Sequence, residues 1–273
     1  MIAIVFGWPN GGIENVKLAG SAAIVTGSAT GLGAAVAKGL AAKGCNVVIN
    51  YTKSEMEARE TFAACEALGA EALLCRADVA NDVDCRAMAD AAMEKWGRID
   101  ALVNNAGVTR FAAADDLEAL DAEDFLDVYR VNVVGAYQMI RACAPPMKAQ
   151  GTGAVVNVSS IAGVAGIGSS VAYAASKGAL NTMTMSLARA LGPEIRVNAV
   201  CPGLIQSRWL RDGLGEKRYE ETVARIEKTT PLQKASTPED VAEAVLWLLE
   251  GAAHVTGEAI LVDAGLHLGF GRR

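Results

Sequence analysis

Seven short runs of apolar and β-branched residues recur along the chain, at Ala22–Thr26, Asn46–Tyr51, Ala72–Asp78, Ala101–Asn104, Ala154–Ser159, Arg196–Cys201 and Ala259–Asp263. Longer stretches lie between them, in which apolar residues return every three or four positions: Leu32–Lys43, Glu55–Leu68, Val83–Trp96, Ala122–Met147, Val171–Leu191 and Glu239–Leu249. Apolar strands alternating with amphipathic helices predict a parallel sheet covered on both faces, an α/β doubly wound fold. Gly44 and Gly69 follow the first two helices, where a left-handed residue closes the last turn. Gly192-Pro193 stops the helix that ends at Leu191. Thr237-Pro238-Glu239-Asp240 gives the last helix an N-cap, a first-turn proline and acid at its positive end.

No repeat or linker divides the chain, so residues 17–273 are expected to form one domain behind an N-terminal extension at 1–16. Residues 204–236 are long for a connection and follow the carboxyl end of a strand. With Trp209, Leu210 and Tyr219 among charges, they are expected to form a substrate loop or lid.

Composition acts mainly by exclusion. With 52% hydrophobic and 21% charged residues the chain can bury a full core, which excludes disorder as its main state. Its 25 basic and 31 acidic residues give −6, which argues against nucleic acid and anionic membranes as partners. The six cysteines form no C-x-x-C pair, as expected of a reduced, cytoplasmic protein. His254 and His267 sit in no ligand pattern, so no metal is expected. Residues 1–8 are too short for a signal core, and no window approaches the roughly 20 apolar residues that span a bilayer.

The candidate chemistry begins after the first strand, at Thr26-Gly27-Ser28-Ala29-Thr30-Gly31-Leu32-Gly33. Gly27 permits a tight turn, Gly31 lets backbone approach a pyrophosphate, and Gly33 removes a side chain where helix meets sheet. The following helix offers free N–H groups to the anion. At the end of the second strand, Tyr51-Thr52-Lys53-Ser54 lacks the carboxylate that would accept from a ribose 2′-hydroxyl. Lys53 with the Thr52 and Ser54 hydroxyls suits a 2′-phosphate, so NADP(H) is favoured, with NAD(H) as second candidate.

Tyr173 and Lys177 stand four residues apart on one helix face. A free phenol titrates near ~10, and a neighbouring ammonium together with a nicotinamide cation is expected to lower that value. Ser160, thirteen residues before Tyr173, ends a strand where ligands gather in such sheets. No G-x-S-x-G elbow surrounds it, which excludes a hydrolase nucleophile.

Taken together, these residues with Asp78-Val79, Asn104-Asn105-Ala106-Gly107, Asn132 and Pro202-Gly203 resemble, over about Leu18 to Leu268, the short-chain dehydrogenase/reductase family in its compact branch. The resemblance implies a Rossmann-like domain with a seven-stranded parallel sheet ordered 3-2-1-4-5-6-7. It implies Tyr173 as acid/base, Lys177 lowering its pKa and binding the nicotinamide ribose, and Ser160 orienting a carbonyl. Asn132 would hold a water that relays protons to the lysine. Gly27, Ser28, Thr30, Gly31, Leu32 and Gly33 would cradle the pyrophosphate, and Asp78 and Val79 would meet the adenine. Asn105, Ala106 and Gly107 would line the cofactor near the adenine-side ribose. Ile205, after Pro202 and Gly203, would meet the carboxamide, with Ser207 beside it.

The activity implied is interconversion of a ketone or aldehyde with an alcohol, by a dimer or tetramer. Ala29 and Thr30 depart from the basic residue that NADP-dependent relatives often carry in this turn. Gly151 and Glu194 stand where reductases of carrier-protein substrates tend to be basic, so a free small molecule is the expected substrate. A 3-oxoacyl thioester reductase is the alternative. A non-catalytic dinucleotide sensor is a remote third, since such proteins commonly lose the tyrosine or lysine.

Overall fold

The computed structural model describes residues 16–269. The expected extension at 1–16 lies outside them except for Val16, which is buried beside the core. Seven strands form the sheet: β1 (Ala22–Val25), β2 (Asn46–Tyr51), β3 (Ala72–Arg76), β4 (Ala101–Asn104), β5 (Gly153–Val158), β6 (Ile195–Pro202) and β7 (Ala259–Val262). All pairs are parallel, in the order β3-β2-β1-β4-β5-β6-β7.

Strand side chains alternate between faces. Ala23 and Val25 of β1 join one apolar core, and Ile24 joins the other. The first core packs α1 (Gly31–Ala42), α2 (Glu55–Ala67) and α10 (Pro238–Leu246) on the sheet. The second packs α3 (Asp82–Trp96), α5 (Ala136–Gln150) and α7 (Val171–Leu191). Fully buried Leu40, Met88 and Met139 each contribute about 1.5–3 kcal/mol through area removed from water. The strand order reverses between β1 and β4, so their connections leave for opposite faces and open a crevice at the carboxyl ends.

Local signals behave as their chemistry requires. Gly44 and Gly69 take φ of +76° and +90°. Thr237 and Asp240 form a reciprocal capping box, with Asp240 N–H donating to the Thr237 hydroxyl at 3.2 Å and Thr237 N–H to the Asp240 carboxylate at 2.8 Å. Two elements differ from expectation. The helix expected over Ala122–Met147 is α4 (Ala122–Tyr129), a π-turn (Arg130–Gly135) and α5. That wider turn brings Gly135 against Val79, where a Cβ would lie 2.8 Å from Val79 Cγ2. The segment 204–236 contains two helices, α8 (Arg208–Leu214) and α9 (Glu216–Thr229), whose short lengths and dense charge hid their period. Among the described residues no helix is long and apolar enough to cross a membrane.

Candidate active site

A cleft of ≈ 990 Å³ opens above the carboxyl ends of the strands. At one end Gly27 and Gly31 adopt φ of +61° and +56°, and a Cβ on Gly31 would meet only open space. Thr30 caps α1 without turning its side chain onto the first turn, which leaves those N–H groups for an anion. Gly33 stands behind the turn: a Cβ there would lie 2.5 Å from Gly27 O and 2.6 Å from Asn105 Nδ2. Gly33→Ala is therefore expected to cost about 1–3 kcal/mol through overpacking, read as a lower unfolding midpoint in urea.

The turn is held by polar side chains from its neighbours. Asn50 accepts the Gly27 N–H at 2.9 Å and donates to Ala77 O at 3.0 Å, tying β2 to both loops. Thr26 Oγ1 accepts the N–H groups of Asn105 and Ala106, each at 3.0 Å. Asn105 Nδ2 donates to Thr26 O and Gly27 O, each at 2.9 Å. Thr30, Gly31, Leu32, Tyr51, Thr52, Lys53, Asp78, Val79, Asn105, Ala106 and Gly107 all line the cleft. Ser28 does not: it is fully buried, accepting the Asn50 N–H at 2.9 Å and donating to Val25 O at 2.7 Å. Ser54 precedes α2 outside the cleft lining.

The other end holds Ser160, Tyr173 and Lys177, from the loop after β5 and from α7. Ser170 caps α7 by accepting the Tyr173 N–H at 3.2 Å, which sets the helix phase. Tyr173 is half-buried, and its phenol hydrogen-bonds the Ser160 hydroxyl. Lys177 is buried, with Nζ donating to Val158 O at 2.7 Å and lying 5.6 Å from the Tyr173 ring centroid.

Burial dominates the ionisation of both groups. Burial pushes Tyr173 up to about 12, with the Ser160 hydrogen bond acting the other way. Burial also pulls Lys177 down to about 8. The ammonium is held by a carbonyl under the ring, and loss of solvent outweighs its attraction for a phenolate.

Gly107 sits beside this group, since a Cβ there would lie 3.7 Å from Lys177 Nζ, nearer the catalytic end than the resemblance implied. Asn132 is buried in the π-turn. Its Oδ1 accepts the Val108 N–H at 2.8 Å, while Nδ2 donates to Val108 O and Ser176 Oγ, each at 3.0 Å. Both amide hydrogens and one lone pair of Oδ1 are thus committed to protein, which leaves one Oδ1 lone pair and the main chain to meet a water. Pro202, Gly203, Ile205 and Ser207 line the cleft, with the Ser207 hydroxyl accepting the Leu210 N–H at 3.3 Å as the cap of α8. Sequence reading missed the roles of Asn50 and Thr26, although a polar residue inside an apolar strand was the signal for Asn50. It also missed the aromatic wall: Trp209 lies 6.2 Å from Tyr173 and 5.8 Å from Phe111 between ring centroids. Among the described residues no group of His, Cys, Asp and Glu is placed to hold a metal.

Comparison with known proteins sets this geometry among relatives. The family described as Enoyl-(Acyl carrier protein) reductase matches residues 27–267. A Streptomyces violaceoruber protein described as granaticin polyketide synthase ketoacyl reductase 2 is 44% identical over 246 residues, 90% of this chain and 96% of that protein. The 3-oxoacyl-[acyl-carrier-protein] reductase of Staphylococcus aureus is 33% identical, covering 90% of this chain and 98% of its own. A Burkholderia xenovorans structure described as a short-chain dehydrogenase/reductase superposes with a TM-score of 0.85 at 41% identity, covering 91% of this chain and 98% of that one. On these matches and on its seven-stranded sheet, the chain belongs to the short-chain dehydrogenase/reductase family, whose members are oxidoreductases.

Proposed function

We propose that this protein is an NADPH-preferring carbonyl reductase in which Tyr173 delivers the proton. The observation that carries the reading is the Ser160–Tyr173–Lys177 group at one end of a cleft whose other end is the glycine turn. Members of the family use NAD(P)(H), and the open face of Gly31 with the uncapped first turn of α1 fits a pyrophosphate. A bound nicotinamide supplies the hydride that reaches the carbonyl carbon.

The protein's own groups do the rest. Ser160 and Tyr173 donate hydrogen bonds to the carbonyl oxygen, and Tyr173 Oη gives its proton to that oxygen as the alcohol forms. Lys177 would bond the ribose of a bound nicotinamide, and Trp209 with Phe111 would wall the substrate's side of the cleft. A phenol held near 12 stays protonated at neutral pH, which suits the reductive direction.

NADPH preference draws support from the rim of β2. Lys53 and Thr52 line the cleft, while the nearby Glu55 and Glu57 are paired with Arg59 and Arg208, each at 2.7 Å. Purified protein given a panel of ketones and aldehydes with each cofactor tests the reading, and no reduction of any carbonyl sinks it. Lys53→Ala is expected to raise KM for NADPH about tenfold while shifting KM for NADH less, as loss of one charge-assisted contact requires. Equal shifts would remove Lys53 from 2′-phosphate recognition.

A 3-oxoacyl thioester reductase is the second reading. It is favoured by the names of the Streptomyces and Staphylococcus relatives and by the arginines that line the cleft, Arg208, Arg218 and Arg225.

A further inference from the structure

The chain carries −6 overall, yet its cleft is lined by Lys53, Lys177, Arg208, Arg218 and Arg225 against the single carboxylate of Asp78. Low-dielectric walls focus such a one-signed field and draw anions inward. Three of the five cations are accounted for. Lys53, two residues beyond β2, is assigned to the 2′-phosphate in the reading above, Lys177 is buried against Val158 O, and Arg208 is paired with Glu57 at 2.7 Å. Arg218 and Arg225 have no ion-pair partner among the described residues, although α9 also carries Glu216, Glu220, Glu221 and Glu227. None of those four glutamates lines the cleft, and Glu216 turns away to Arg211 at 3.4 Å.

The placement follows helical geometry. Arg218, Thr222, Arg225 and Ile226 fall at i, i+4, i+7 and i+8, one stripe of α9, and all four line the cleft. The helix is anchored by buried Tyr219 and Ile226, so the stripe is held in phase. Seven residues set the Cα atoms of Arg218 and Arg225 about 10.5 Å apart along the axis. That spacing suits an elongated anionic tail better than one small ion. The basic stripe lies apart from Gly151 and Glu194, the positions from which a carrier-protein substrate is expected to meet little positive charge.

Resting on the carbonyl-reductase reading, we infer that Arg218 and Arg225 select substrates whose end far from the reacting carbonyl bears an oxyanion, a phosphate or a carboxylate. The guanidinium fork matches either group bidentately. Two matched pairs distinguish the sources: acetoacetyl-4′-phosphopantetheine against acetoacetyl-pantetheine, and 4-oxopentanoate against its methyl ester.

Wild type is expected to favour the anionic member of one pair by tenfold or more in kcat/KM at saturating NADPH. In the double variant Arg218→Gln/Arg225→Gln that ratio is expected to fall at least tenfold. An unchanged ratio, or a loss confined to KM for NADPH, overturns the inference. Calorimetric titration of the same four compounds into the protein with NADP+, where ketones are not turned over, gives a readout independent of catalysis. Tenfold tighter binding of one anionic member, lost in the double variant, supports the assignment, and equal affinities within both pairs overturn it. If wild type reduces none of these four compounds, the ketone and aldehyde panel still tests the reductase reading and the calorimetry decides this one.

Discussion

Tyr173→Phe is expected to lower kcat/KM for carbonyl reduction by about 100- to 10,000-fold, the range that a positioned proton donor contributes. At about 1.4 kcal/mol per factor of ten this is about 3–5 kcal/mol of lost transition-state stabilisation. The substitution is clean, because the phenol's hydroxyl partner among the described residues is Ser160, and the ring keeps its place beside Trp209. The unfolding midpoint should therefore stay close to that of wild type, and dinucleotide affinity with it. A variant that folds, binds NADPH and retains more than a tenth of wild-type turnover would remove Tyr173 from the chemistry.

The same ionisations set a direction with pH. Tyr173, pushed up to about 12, remains a competent acid well past neutrality. Lys177, pulled down to about 8, sheds its charge as pH rises through that value. Reduction in the protein should thus be level near neutrality and decline as Lys177 discharges. Alcohol oxidation needs the phenolate and should climb with pH instead.

The sheet was legible because every strand is a nearly unbroken apolar run and each connection is a helix of ordinary length. Strand order and the cleft at the β1/β4 reversal follow from handed βαβ packing once that alternation is seen. Ser160, Tyr173 and Lys177 were legible as a pattern, but their ionisation was not. It depends on where Lys177 Nζ goes, and Val158 O at 2.7 Å is a main-chain partner that spacing cannot reveal. Asn132 shows the same limit: Val108 and Ser176, which occupy its amide, come from a loop and a helix distant in sequence. The stripe on α9 stayed hidden because Arg218 and Arg225 are scattered among glutamates, and only the helix phase separates the two signs.

Lys177→Met is expected to abolish turnover yet gain stability relative to wild type at neutral pH compared with alkaline pH. Burial is the cause: the folded protein holds the ammonium at about 8 against an ordinary 10.5, so the unfolded chain binds a proton more readily between those values. Stability of wild type consequently rises with pH across that window, and the penalty for a charged Lys177 is complete below it. A shift of this size corresponds to about 3 kcal/mol. Methionine fills a similar volume without a charge, although it leaves Val158 O without its donor, an offset that does not titrate. Tyr173 and Cys201, the neighbouring titratable groups, are both raised by burial, and being present in both proteins they largely cancel in the comparison. Urea unfolding of wild type and variant at about pH 7 and about pH 10 should therefore show their difference in unfolding free energy moving in favour of wild type by about 2.5 kcal/mol, since pH 10 stops short of the upper end of the window. A difference independent of pH would mean that Lys177 keeps its ordinary affinity for the proton. An ammonium kept in the site at that cost to the fold is the trade expected where a charge serves chemistry instead of packing.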